Sequence, residues 1–98
     1  MAQTPEGKVK DAIKKILNEN DIWYFMPAAN GFGKVGVPDF ICCWGGKFLA
    51  IEAKAKGKRE YTTANQNIRI EEIRHADGWA IVVDDVKQLE EFIDEQRR

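Results

Sequence analysis

The sequence predicts a small α/β domain, a mixed β-sheet flanked by helices, with its elements in the order α-β-β-β-α-β-α. Three observations carry that expectation. Apolar residues recur at helical spacing near both ends of the chain and once between. Two apolar, β-branched runs are joined by Gly45-Gly46, a strong signal for a β-hairpin. A further strand-like run, Trp79–Val83, stands between two helical segments. A length of 98 residues suits a single domain, here residues 1–98. At 44% hydrophobic and 32% charged residues, the chain is too apolar to be mainly disordered.

Thr4-Pro5-Glu6 opens the first helix: Thr4 as N-cap, Pro5 at the first helical position and Glu6 in the first turn. Val9, Ile13, Ile16 and Leu17 follow at helical spacing, and the helix ends near residues 18–20. Ile22 to Met26 reads as a strand closed by Pro27, and residues 28–36 as a loop. The hairpin strands are Val37 to Trp44 and Lys47 to Lys54, followed by a basic linker over residues 55–59. Thr62 or Thr63 caps a second helix that runs to about Ala76 and stops at Asp77-Gly78. Trp79–Val83 is a buried strand. Val86, Leu89, Phe92 and Ile93 mark a last amphipathic helix with an acidic outer face.

The net charge of −1 excludes nothing by itself, but its distribution is uneven. Residues 1–59 carry a balance of +4 and residues 60–98 one of −5. A basic face of this kind can bind phosphates on a nearly neutral domain. No secretory leader is visible and no uncharged run is long enough to span a bilayer, so no membrane association is expected. Cys42 and Cys43 are adjacent and badly placed to bridge each other, which fits a reducing, cytoplasmic compartment.

The hairpin yields the sharpest chemical inference. With Gly45 and Gly46 as its loop, Trp44 faces Lys47, Ile41 faces Ala50, and Asp39 faces Glu52. Facing residues share a side of the sheet with Cβ atoms about 4.5–5.5 Å apart. Two carboxylates set opposite each other among apolar strands repel, and burial makes this worse. A divalent cation between them turns repulsion into coordination. Alternation puts Lys54 on the same face as Glu52. Carboxylates holding a hard cation, beside an ammonium group, are what phosphodiester hydrolysis requires.

Pro38-Asp39, followed thirteen residues later by Glu52-Ala53-Lys54, resembles the PD-(D/E)XK nuclease motif. Glu6 in the first helix and Thr63-x-x-Gln66 opening the second narrow the resemblance to a stand-alone VRR-NUC domain, the virus-type replication–repair nuclease family. It covers the chain from Glu6 to about Val83. The resemblance implies a restriction-endonuclease-like fold and a Mg²⁺- or Mn²⁺-dependent endonuclease that leaves 5′-phosphate and 3′-hydroxyl ends on DNA. Asp39 and Glu52 would be metal ligands, with the Ala53 carbonyl as a further ligand and Glu6 joining the site directly or through water. Lys54 would position or activate the water, and Gln66 would line the site. Stand-alone members resemble Holliday-junction resolvases and act as homodimers, which implies structure-selective cleavage of branched DNA in a bacterial or phage-infected cell. A sequence-specific or single-strand nuclease on the same core, or a non-catalytic nucleic-acid-binding module, are the alternatives.

Bland roles compete for several of these residues. Glu6 equally suits a helix N-terminus, and the Gln66 amide can satisfy a nearby backbone group. Lys34 in the glycine loop, and Lys56, Lys58 and Arg59 in the linker, suit phosphate contacts or plain solvation. Gly31-Phe32-Gly33-Lys34-Val35-Gly36 matches the letters of a dinucleotide fingerprint but leads into a strand, so it is read as a flexible loop. Tyr61 can stack on a base or staple a helix. His75, alone, fits a helix C-terminus better than a zinc site.

Overall fold

A computed structural model of the chain describes residues 3–28 and 33–98. Gly31 and Phe32 of the glycine-rich stretch therefore lie outside the described residues. The elements are α1 (Pro5–Glu19), β1 (Trp23–Phe25), β2 (Phe40–Trp44), β3 (Lys47–Ala53), α2 (Ala64–His75), β4 (Trp79–Val83) and α3 (Val86–Arg97), the expected order.

Each helix begins where the sequence carries a cap. The Thr4 hydroxyl accepts from the Gly7 N–H at 3.0 Å, with Pro5 just inside the helix. Thr63 and Gln66 form a reciprocal capping box on α2, and Asp85 and Gln88 form another on α3. His75 and Arg74 close α2, where positive charge suits the helix dipole.

The four strands lie side by side in the order β1-β2-β3-β4. The first three are antiparallel and β4 runs parallel to β3, with α2 as the crossover between them. The β2–β3 register pairs Trp44 with Lys47, Ile41 with Ala50 and Phe40 with Ile51, as a two-residue Gly-Gly loop requires. Gly45 and Gly46 have φ of +58° and +79°, the left-handed pair of a tight hairpin turn.

Three strands are shorter than the sequence suggests, β3 only by Lys54, which lies just past its end. Ile22 turns its N–H to the Leu17 carbonyl, so β1 begins at Trp23 rather than Ile22. It ends at Phe25, ahead of Pro27, which has no N–H to give a ladder. Val37 to Asp39 therefore find no paired strand on that side. Gly36, at φ +81°, is a turn, and β2 starts at Phe40 instead of Val37.

Alternation divides the sheet into two faces. Phe40, Cys42, Leu49, Ile51 and Val83 point to one, where Val9, Ile13 and Leu17 of α1 and Leu89 and Ile93 of α3 complete the main core. Ala50 and Ala80 point to the other, and their small side chains let Ile70 and Ile73 of α2 pack close. Asp39, Glu52 and Lys54 belong by alternation to the α2 face, at the end of the sheet where β3 and β4 finish. Cys42 is buried, which pushes its thiol up to about 12, and Cys43 is exposed. Among the described residues no helix is long and apolar enough to cross a membrane.

Candidate active site

The β2–β3 register, carried one step beyond Phe40 and Ile51, brings Asp39 opposite Glu52. Asp39 sits in the bend just before β2, and its Oδ2 accepts from the Ala53 N–H at 2.9 Å. Ala53 thus enters the site through its amide, which ties the Asp39 bend to the end of β3. Glu52 is the only charged residue that is fully buried among the described residues, at 3% exposure. Burial, and then the negative charge of Asp39, push its carboxyl up to about 8, against the smaller opposing pull of Lys54. Glu52 thus keeps its proton to higher pH than an ordinary carboxyl, with Asp39 facing it.

Gln66 closes the site from α2. Its Nε2 donates to Glu52 Oε2 at 2.9 Å, and its Oε1 accepts from Lys54 Nζ at 2.9 Å. The same Oε1 accepts from the Thr63 N–H at 2.9 Å as half of the capping box. A flipped amide would turn its NH₂ toward two donors and its oxygen toward a carboxylate, so the helix cap fixes which end of Gln66 meets Glu52. Lys54 Nζ lies 3.7 Å from Glu52 Oε2, and its side chain is only 11% exposed. Both Glu52 and Lys54 therefore meet Gln66 on the face that alternation assigns them. Gln66 bonds backbone and site at once, so its two sequence-level roles coexist.

Gly36 presses against the start of α2. A Cβ there would lie 2.5 Å from the Asn65 carbonyl carbon and 2.7 Å from the Gln66 nitrogen. This glycine of the loop is a packing point that seats Gln66, where the sequence suggests only a flexible mouth.

Lys10 is the residue that sequence reasoning left out of the site. Its Nζ lies 3.2 Å from Glu6 Oε2 and 3.6 Å from Asp39 Oδ1. Burial alone would lower its pKa, but the charges of Asp39 and Glu6 outweigh that and raise it. Glu6 is joined to Asp39 through this ammonium. The three-carboxylate ligand set expected from sequence is not gathered: among the described residues no group of three or more His, Cys, Asp or Glu side chains is placed to hold a metal ion. The Glu6–Lys10 spacing of one helical turn was the only signal for Lys10 in the sequence, and it does not reveal where α1 docks.

The expected phosphate-binding residues fare differently from one another. Lys34 Nζ pairs with Glu72 at 3.7 Å. Lys56 is exposed, and Lys58 Nζ sits 5.0 Å from the ring centre of Tyr61. Arg59 Nε donates to the Val82 carbonyl at 2.9 Å, while Asp84 accepts from the Gly57 and Arg59 N–H groups. Arg59 thus has a structural task in holding the linker against β4. Tyr61 is 66% exposed, which does not fit a stapled helix residue.

No family model and no curated protein matches the sequence. Among solved structures, the chain is similar to one described as a "VRR_NUC domain", with a TM-score of 0.71 and 23% sequence identity. The match covers 93% of this chain and 96% of that one. At that identity the likeness concerns the fold, and it bears out the restriction-endonuclease-like α/β architecture expected from the sequence.

Proposed function

We propose that this chain is a divalent-cation-dependent endonuclease that hydrolyses phosphodiester bonds in DNA. One observation carries the reading: Glu52 is buried opposite Asp39, which together with burial raises its carboxyl pKa, while Lys54 stands beside it on the same amide. Burying Glu52 against a second, half-buried acid costs stability and returns none to the fold. Oxygen donors so placed suit a hard cation, which favours their ionised forms.

Asp39 and Glu52 would hold Mg²⁺ or Mn²⁺, with the Ala53 carbonyl as a further oxygen donor and Glu6 joining directly or through water. When bound, the ion would polarise a phosphoryl oxygen and acidify a water. The chain's own groups do the positioning. The Ala53 N–H takes Oδ2 of Asp39, which turns Oδ1 toward Lys10 and the cation position. Gln66 fixes the Glu52 carboxylate and holds the Lys54 ammonium, which orients the attacking water or offsets charge growing on the phosphate. Products would carry 5′-phosphate and 3′-hydroxyl ends.

Branched DNA, such as a Holliday junction, is the proposed substrate, cut by a homodimer whose two sites match a two-fold substrate. Lys56 and Lys58 at the exit of β3 would grip phosphates, with Lys34 and Arg59 at the margin. The described name of the similar structure agrees with the family that the motif resembles. The test is incubation with labelled four-way junction, flap, duplex and single strand, in Mg²⁺ and in EDTA. Cleavage in Mg²⁺ with preference for the junction supports the reading. Binding of DNA without cleavage in any metal would favour a non-catalytic module.

A further inference from the structure

The carboxylates of Glu6 and Asp39 do not meet bare. The Lys10 ammonium lies between them, at 3.2 Å from one and 3.6 Å from the other. Asp39 Oδ2 is already engaged by the Ala53 N–H. Oδ1 is therefore the Asp39 oxygen available to a cation, and Lys10 holds it. The Lys10 side chain is 28% exposed, so this is not a loose surface pair.

We propose that Lys10 is a tethered counter-ion that, in the metal-free protein, holds the Asp39 oxygen a divalent cation would take, and withdraws from it when the ion binds. The inference rests on Asp39 and Glu52 being cation ligands. Mg²⁺ bonds oxygen at about 2.0–2.1 Å, so it and an ammonium group cannot both claim one carboxylate oxygen without strong like-charge repulsion. Lysine carries its charge on a flexible four-carbon stem, so the ammonium can leave while α1 stays docked. Two consequences follow. The site keeps a positive charge beside Asp39 at all times, which steadies the fold before the ion arrives. Each binding event must also displace Lys10, which lowers affinity for the ion and frees an ammonium group beside the place a phosphate would occupy.

The test is calorimetric titration of Mn²⁺ into metal-free wild type, Lys10→Met and Lys14→Met at about 0.15 M salt. Lys14 lies one turn further along α1 and pairs with Asp11 at 3.7 Å, so it removes the same charge without touching Asp39. At that salt the Debye length is about 8 Å, and more distant charges are muted. Lys10→Met should bind Mn²⁺ roughly tenfold more tightly than wild type, and Lys14→Met within about twofold of it. In EDTA, Lys10→Met should melt below wild type, and saturating Mn²⁺ should close the gap. Lys10→Gln, which keeps a hydrogen-bond donor, serves if the methionine variant folds poorly. Equal or weaker Mn²⁺ binding by the Lys10 variants overturns the role of Lys10 alone. Absence of Mn²⁺ binding in wild type and variants overturns the ligand assignment of Asp39 and Glu52, and the role of Lys10 with it.

Discussion

Replacing Glu52 by Gln should leave stability nearly unchanged at pH 5 and raise it at pH 8, in the absence of metal. In the unfolded chain this carboxyl titrates near its ordinary value of 4.5, whereas in the fold burial and Asp39 push it up to about 8. Between those values the folded state holds a proton that the unfolded state has lost. Its contribution to stability is therefore full below pH 4.5 and is lost as pH rises toward 8. The slope is about 1.36 kcal/mol per pH unit for one proton. Glutamine has the same shape and no charge to bury. It can accept from Gln66 Nε2 as the carboxyl does. The variant's advantage should thus grow by about 2–4 kcal/mol between pH 5 and pH 8. Urea unfolding of both proteins in EDTA at pH 5, 6.5 and 8 measures it, and taking the difference cancels the titrating groups that do not interact with Glu52. A difference that stays constant across this range would refute the account of Glu52 as a buried, proton-bearing acid. Saturating Mg²⁺ at pH 8 should stabilise the wild type and not the variant.

Other perturbations test the rest of the site. Gly36→Ala would force a Cβ onto the Asn65–Gln66 backbone at a φ of +81°, so it should cost about 1–3 kcal/mol in thermal melts and reduce cleavage through Gln66. Replacing Lys56 and Lys58 by Ala should lower the slope of log affinity against log salt by roughly two per DNA-bound copy, equally for junction and duplex, since phosphate contacts contribute about 0.9 each. Adding Arg59→Ala should mainly loosen the linker, because its guanidinium already serves Val82; melting curves and salt titrations in Ca²⁺ separate the two effects. Ca²⁺ itself should support DNA binding with little turnover, because it takes more ligands at longer distances, about 2.3–2.6 Å. Mobility-shift and cleavage assays run side by side in Ca²⁺ and Mg²⁺ check this.

The hairpin was the most legible part of the chain because its signals are local. Gly45-Gly46 set the turn, the turn set the register, and a period of two then placed Glu52 and Lys54 on one face. The inward position of Gln66 followed in the same way from its helical spacing to Ile70 and Ile73, and the fold places it against Glu52 and Lys54. What stayed hidden depends on how distant elements dock. Nothing local to α1 tells that Lys10 reaches Asp39, or that Glu6 meets Asp39 only through that ammonium. The late starts of β1 and β2 came from competition for backbone groups: Ile22 closes the end of α1, and Gly36 is drawn against α2. The Arg59 contact depends on where β4 finishes beside the linker, which the basic run itself does not reveal.

The most direct test of the central claim is the single-turnover cleavage rate of a labelled four-way junction in Mg²⁺, compared among wild type, Asp39→Asn and Lys54→Ala. Circular dichroism melts of all three establish that they are folded. The account predicts Mg²⁺-dependent cutting by the wild type, and folded variants whose rates fall at least about a hundredfold, as loss of a group that stabilises transition-state charge commonly produces. Asp39→Asn should melt no lower than wild type in EDTA at pH 8, because it removes one of two facing acids. Wild-type cutting undiminished by EDTA, or folded Asp39→Asn and Lys54→Ala proteins that cut at the wild-type rate, would contradict it.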